Sequence, residues 1–147
     1  MPPVINLCSP LTAAAREAII APLLAHNNWH GMGLEGEEMG FALSDDAGAI
    51  AGGLLGYWRD RWLFIASLSV REDLRGRGYG RALMEQGEAW ARHHDGVGVW
   101  LDSYGFQAPD FYRHLGYEEM GRLEDYLPGV DRIWFQKRLI EEGASEA

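Results

Sequence analysis

The sequence predicts a mixed α/β domain: a central sheet of six or seven strands with about four helices on its faces. Three observations predict it. Residues 39–70 hold three β-rich runs joined by turns too short for a crossover, so these strands are antiparallel neighbours. Residues 79–94 then switch to helical spacing and lead into another β-rich run, which makes a βαβ unit with parallel strands. A short helix and two further β runs close the chain, the layered order expected of a sheet carrying helices.

Element by element, residues 4–7 read as a short first strand ended by Ser9-Pro10. Thr12 suits an N-cap, and residues 13–25 are rich in helix formers, with Ile19/Leu23 and Ile20/Leu24 at i,i+4. Pro22 predicts a kink or break there. Residues 26–36 read as an irregular helix or a loop. Strands follow at 39–43, 49–58 and 62–70, separated by the turns Asp45-Asp46-Ala47-Gly48 and Arg59-Asp60-Arg61. In helix 79–94, Tyr79, Leu83 and Trp90 share the apolar face, while Arg81, Glu85, Glu88 and Arg92 turn towards water. Residues 97–102 form the parallel strand. Residues 108–115 form a short helix stopped by Gly116. Residues 117–121 and 133–137 are the last strands, with a loop containing Asp125, Pro128 and Gly129 between them.

The chain has 147 residues, 47% hydrophobic and 24% charged, enough for one domain with its own core. That domain is set at residues 1–140, with an acidic tail at 141–147 expected to fray. The single cysteine, Cys8, excludes an internal disulfide and a multi-cysteine zinc site. No signal peptide and no apolar run of membrane-spanning length is present, so a cytoplasmic location is expected. A net charge of −9 argues against a nucleic-acid partner and for cationic ones. His26 and His30 stand at i,i+4, but no third ligand follows, so no metal site is expected.

The strongest chemical signal lies between strand 62–70 and helix 79–94. Gly76, Gly78 and Gly80 strip side chains from a helix start, where bare amides and the helix dipole attract an anion. Arg71, Arg75, Arg77 and Arg81 are four of the thirteen Lys and Arg residues, packed into eleven positions of an acidic protein. This concentration suggests a polyphosphate ligand. The Gly-Lys-Ser/Thr of a Walker loop is absent, and the Gly-x-Gly-x-Gly spacing differs from that of a dinucleotide fingerprint.

Arg75-x-x-Gly78-x-Gly80 resembles the Arg/Gln-x-x-Gly-x-Gly/Ala signature of the GCN5-related N-acetyltransferases (GNAT superfamily). Phe111-Tyr112-Arg113-His114-Leu115-Gly116-Tyr117 resembles their later Phe-Tyr-x-x-x-Gly-Phe/Tyr motif. The order of elements agrees over nearly the whole chain. The stretch from Leu101-Asp102-Ser103-Tyr104 to Ala108, with Leu127-Pro128-Gly129, is similar to a group of small bacterial members.

The resemblance implies a GNAT fold and acetyl-CoA as the acetyl donor. The pyrophosphate would sit on the loop Arg75, Gly76, Arg77, Gly78, Tyr79, Gly80 and Arg81. The pantetheine would pair with Leu68, Ser69 and Val70, where the strands ending at Val70 and Asp102 splay apart. A backbone N–H near Leu68 would serve as oxyanion donor. Tyr112 matches the tyrosine that protonates the departing thiolate. Many members carry a carboxylate at the position matching Ala66, so the base is open: Asp102 is the nearest replacement, with Glu124, Asp125 or a water chain as alternatives. Asp102 as a turn or helix cap stands beside that reading.

Trp29, Tyr104, Glu124 and Tyr126 are candidate acceptor-binding residues, the aromatics by cation–π contact and Glu124 by charge, because the resemblance implies that the segments holding Trp29 and Tyr126 flank the acceptor site. The expected activity is transfer of acetyl from acetyl-CoA to a primary amine, of a small cationic molecule, by direct attack on the thioester. Its alternatives are a catalytically degenerate CoA-binding domain and a protein or peptide N-acetyltransferase. The expected partner is a small-molecule amine, with no membrane partner, and the reading is compatible with a homodimer.

Overall fold

The computed structural model describes residues 1–30 and 36–140, so the tail expected to fray lies outside the described residues. The chain divides into two compact units with the boundary between Glu35 and Gly36.

The first unit holds helix α1 (Ala13–Trp29). Thr12 caps it, its hydroxyl accepting from the Ala15 N–H at 3.1 Å. Residues 4–7 are not a strand; so short a run forms no ladder without a partner. Helix α1 also runs through Pro22 rather than stopping there. Proline removes one intrahelical bond, and the turns on either side retain theirs.

The second unit contains β1 (Glu37–Ser44), β2 (Ile50–Arg59), β3 (Trp62–Val70), a 3-10 turn at Glu72–Leu74, α2 (Tyr79–His93), β4 (Gly98–Tyr104), α3 (Pro109–His114), β5 (Glu118–Leu127) and β6 (Val130–Arg138). The strands form one six-stranded mixed sheet in the order β1-β2-β3-β4-β6-β5. The β1–β2–β3 meander is antiparallel and β3–β4 is parallel, as the short turns and the helical crossover dictate. Beyond expectation, β5 and β6 lengthen towards each other, so Asp125 lies within β5 instead of in a loop. It takes φ 51° beside a register irregularity between Leu123 and Leu127.

The core forms where α2 lies on the sheet. Leu83, Met84 and Ala91 of α2 meet Leu54, Leu63, Ile65, Val99, Leu101, Ile133 and Phe135. The strand residues alternate i,i+2 and so line one face. Gly87 lets α2 approach: an added Cβ would lie 3.2 Å from Leu54 Cδ1. Glu88 departs from the sequence reading, being 5% exposed where the helical pattern placed it in water. Its partners are a tyrosine and a lysine that local periodicity cannot see.

Candidate active site

The glycine turn closes onto the start of α2. Gly76 and Gly78 take φ 74° and 86°, and Gly78 is the N-cap. A Cβ at either would meet nothing within 4 Å, so left-handed backbone, rather than lack of room, selects glycine there. No side chain caps α2, in contrast to Thr12 on α1. The first bond of α2 runs from the Ala82 N–H to the Gly78 carbonyl at 3.0 Å. The N–H groups of Tyr79, Gly80 and Arg81 therefore have no partner among the described residues, which is the state of a helix end open to an anion.

The four arginines separate in role. Arg71 is committed to architecture: Nε donates to Asp73 Oδ1 at 2.6 Å and Nη1 to Asp45 Oδ2 at 2.9 Å, tying the 3-10 turn to the β1–β2 turn. Those bonds hold the Asp45 and Asp73 carboxyls below their usual range. Arg75 Nε donates to the Val70 carbonyl at 2.9 Å, and Arg81 Nε to Glu85 at 3.1 Å. Arg75, Arg77 and Arg81 thus flank the bare amides with positive charge.

A wedge opens beside this turn. Strands β3 and β4 pair only from Trp62–Ile65 against Gly98–Leu101. Beyond that point β3 stays with β2 to Val70, while β4 stays with β6 to Tyr104. The divergence begins at a bulge. Leu55 faces Ser67 and its neighbour Gly56 faces Ile65, so Ala66 is the extra residue. The bulge changes the phase of the strand: Leu63 and Ile65 are core residues before it, and Leu68 and Val70 pack on the core after it. Past the bulge, Arg71 N–H donates to the Ala51 carbonyl at 2.8 Å. Backbone alternation then turns the polar groups of Ser69 towards β2 and those of Leu68 and Val70 into the wedge. Arg75 satisfies the Val70 carbonyl, and the Leu68 groups remain for a ligand.

A cavity of about 510 Å³ fills the wedge, lined among others by Ala66, Leu68, Asp102, Ser103, Phe111 and Tyr112. A second, of about 450 Å³, shares Leu68, Val70, Arg75 and Phe111 with it and reaches Gly78 and Gly80. Between them the two cavities border a strand edge and an uncapped helix end. That arrangement fits a ligand with an amide-bearing chain at one end and phosphates at the other, as coenzyme A has.

Tyr112 is fixed by the cap that ends α3. Gly116, at φ 91°, allows the Tyr117 N–H to reach the Tyr112 carbonyl (3.0 Å) and the Gly116 N–H to reach that of Arg113 (3.0 Å). This is a Schellman motif, and it explains the spacing from Phe111-Tyr112 to Gly116-Tyr117. The accompanying side-chain contact is Tyr112 against Tyr117, with centroids 6.1 Å apart. Burial, and then the charge of Asp102, push the Tyr112 phenol above its usual value, so it keeps its proton at neutral pH.

Asp102 shares the cavity with Tyr112, but it is an ion-pair partner rather than a turn cap. Arg132 Nε donates to Asp102 Oδ2 at 2.8 Å. The same guanidinium lies 5.8 Å from the Tyr104 ring, 5.2 Å from Tyr126 and 4.8 Å from Trp134. The chain's own arginine therefore lies against Tyr104 and Tyr126, two of the aromatics expected to receive a substrate cation. Glu124 lies exposed on β5. Trp29 ends α1 in the first unit. Arg132 and Gln107, whose Oε1 accepts from the Tyr104 N–H at 2.8 Å, escaped the sequence reading. The signal for Arg132 was its placement two residues before Trp134 on one strand face. Among the described residues no cluster of three or more His, Cys, Asp or Glu could hold a metal, and no helix is long and apolar enough to cross a membrane.

Comparison with known proteins gives the same picture. Residues 9–117 match the profile of the Acetyltransferase (GNAT) family. The chain is 38% identical over 95 residues to blasticidin-S acetyltransferase of Streptomyces morookaense, covering 64% of this chain and 70% of that one. It is 29% identical over 126 residues to an acetyltransferase of Agrobacterium fabrum, covering 86% and 92%. The crystal structure of an acetyltransferase from Bacillus cereus superposes with a TM-score of 0.82 at 31% identity, over 94% of this chain and 98% of that one.

Proposed function

The chain belongs to the acetyltransferase (GNAT) family, and from that membership we propose that it acetylates a primary amine of a small cationic molecule by direct attack of the amine on acetyl-CoA. The observation that carries the reading is the uncapped start of α2 at the end of a wedge whose strand edge offers free backbone groups. Identity to blasticidin-S acetyltransferase supports a small-molecule acceptor.

Bound in the wedge, acetyl-CoA supplies a thioester carbonyl open to the amine and a sulfur able to leave as thiolate. The amides of α2, with Arg75, Arg77 and Arg81, hold the pyrophosphate. The backbone groups of Leu68 and the Val70 N–H present the strand edge that orients the pantetheine, while those of Ser69 turn to β2, and the Leu68 N–H donates to the carbonyl oxygen as it gains charge. Tyr112 gives its proton to the departing sulfur. Asp102 takes the amine proton through Oδ1, directly or by a water, while Oδ2 stays with Arg132. An amine of pKa about 10 reacts through its neutral fraction, so the rate climbs with pH.

Thiol release from acetyl-CoA, screened against polyamines, aminoglycosides, blasticidin S, amino acids and peptides, tests the reading. Release confined to peptides would move the assignment to a protein or peptide acetyltransferase. Tight CoA binding without acceptor-dependent release would favour the degenerate binding domain that Ala66 suggests.

The acceptor side has its own expected result. Asp102→Asn lowers kcat/KM for the acceptor by about 10–10²-fold and leaves CoA affinity near the parent value. Ala66→Asp partly restores it, because Ala66 lines the same cavity. The pH–rate profiles of parent, single and double variants decide the matter. A parental profile in Asp102→Asn would reduce Asp102 to the partner of Arg132.

A further inference from the structure

Glu88 is a buried charge that the proposed chemistry does not use. It faces the sheet from α2 at 5% exposure, where a carboxylate persists only with partners. The Tyr117 hydroxyl donates to its Oε2 at 3.0 Å, and Lys137 Nζ donates to its Oε1 at 2.8 Å. Lys137 Nζ also donates to the Leu115 carbonyl at 2.8 Å. Leu115 is the C-cap of α3, so a cation sits at the negative end of that helix. The lysine stem passes Gly116, whose added Cβ would lie 3.6 Å from Lys137 Cε. One carboxylate thus joins three parts: α2, which begins at the phosphate site; β6, which carries Lys137; and the end of α3, which carries Tyr112.

Helix α3 has six residues and none of them is fully buried. So short a helix does not hold its own pose. Phe111, Tyr112 and Leu115 pack against the core, and the C-terminal cap adds a second anchor, where Tyr117 is held twice: its N–H by the Tyr112 carbonyl and its hydroxyl by Glu88. The Schellman cap needs only the backbone and Gly116. The hydroxyl of Tyr117 and the carboxylate that receives it hold the same residue a second time, from α2.

We infer that Glu88, Tyr117 and Lys137 are positioning residues for Tyr112, clamping the end of α3 to α2 so that the phenol is held at a fixed distance from the helix that binds the donor. The inference rests on the reading of Tyr112 as proton donor. Small displacements of a reacting group cost rate steeply, so a loosened clamp acts on turnover before it acts on binding.

The test is a double-mutant cycle. Tyr117→Phe keeps the ring and removes one hydrogen bond; Glu88→Gln keeps an acceptor and removes the charge. Each is made in the parent and in Tyr112→Phe. Thiol release is followed with the amine of the panel that reacts fastest, and acetyl-CoA affinity is measured by calorimetry. Tyr117→Phe is expected to lower kcat about ten-fold in the parent with affinity nearly unchanged. In Tyr112→Phe the same substitution changes kcat less than about two-fold, because residues acting through one group do not add. Glu88→Gln follows the same pattern with a smaller loss. Equal losses in the two backgrounds would overturn the inference. A parental kcat in Tyr112→Phe alone would instead remove the acid assignment on which it rests. A crystal structure of Tyr117→Phe needs no acceptor: the inference expects Tyr112 shifted or split between rotamers, and an unmoved, singly ordered Tyr112 contradicts it.

Discussion

Tyr112→Phe is expected to retain acetyl-CoA affinity and to lower kcat by about 10²–10⁴-fold, the range of one acid–base group. The substitution removes one oxygen. Phe keeps the ring contacts with Phe111 and Phe135, and the Schellman cap of α3 uses only backbone groups of residue 112. The fold and the cavity wall should therefore survive, so the loss falls on turnover. The pH profile carries a second mark of the role. Burial and the neighbouring Asp102 hold the phenol above its ordinary value, so the acid stays protonated through neutral and mildly basic pH. Rate should consequently rise with pH as the amine loses its proton, with no fall assignable to Tyr112 below about pH 10. A Tyr112→Phe protein with parental kcat would take the residue out of the chemistry. A matched loss of affinity would make it a binding residue.

Gly78→Glu is expected to weaken CoA binding by about 10²-fold, which is ~2.7 kcal/mol. Bulk is not the cause, because a Cβ there meets open space. The cause is twofold. At φ 86° an L-residue is strained by about 1–2 kcal/mol, and relaxing that strain disturbs the start of α2. The new carboxylate also sits at the N-cap, where its charge takes up the positive end of the helix dipole and repels a phosphate. Gly78→Ala carries the strain without the charge, so its loss should be clearly smaller. Calorimetry with CoA, ATP and NAD on both variants and the parent checks this. CoA and ATP bound equally well by the parent would remove the strand edge from recognition and with it the donor assignment.

The glycine turn was legible because it is contiguous. Positive φ, uncapped amides and flanking arginines are all written within residues 75–81, and only the 3-10 turn at Glu72–Leu74 separates them from the end of β3. The acceptor side was not. Arg132 reaches Asp102 across 30 residues of sequence, and that pairing changes both the carboxylate and the aromatic group around it.

By itself the sequence determined the elements that obey local rules. Two-residue alternation and short turns impose the antiparallel meander, helical spacing after a strand imposes the parallel crossover, and Gly116 ends α3 wherever that helix packs. Tertiary structure decided the rest, because each remaining feature needs a partner distant in the chain. Residues 4–7 found none and form no strand. Glu88 found two, at separations of 29 and 49 residues, and is buried against the pattern of its own helix. Ala66 became a bulge only in the pairing of β3 with β2, and the wedge opened where the β3–β4 pairing ended and the β2–β3 pairing continued. Local propensity is fixed by neighbouring residues, whereas desolvating a charge or splitting a sheet is settled by whatever the completed fold brings alongside.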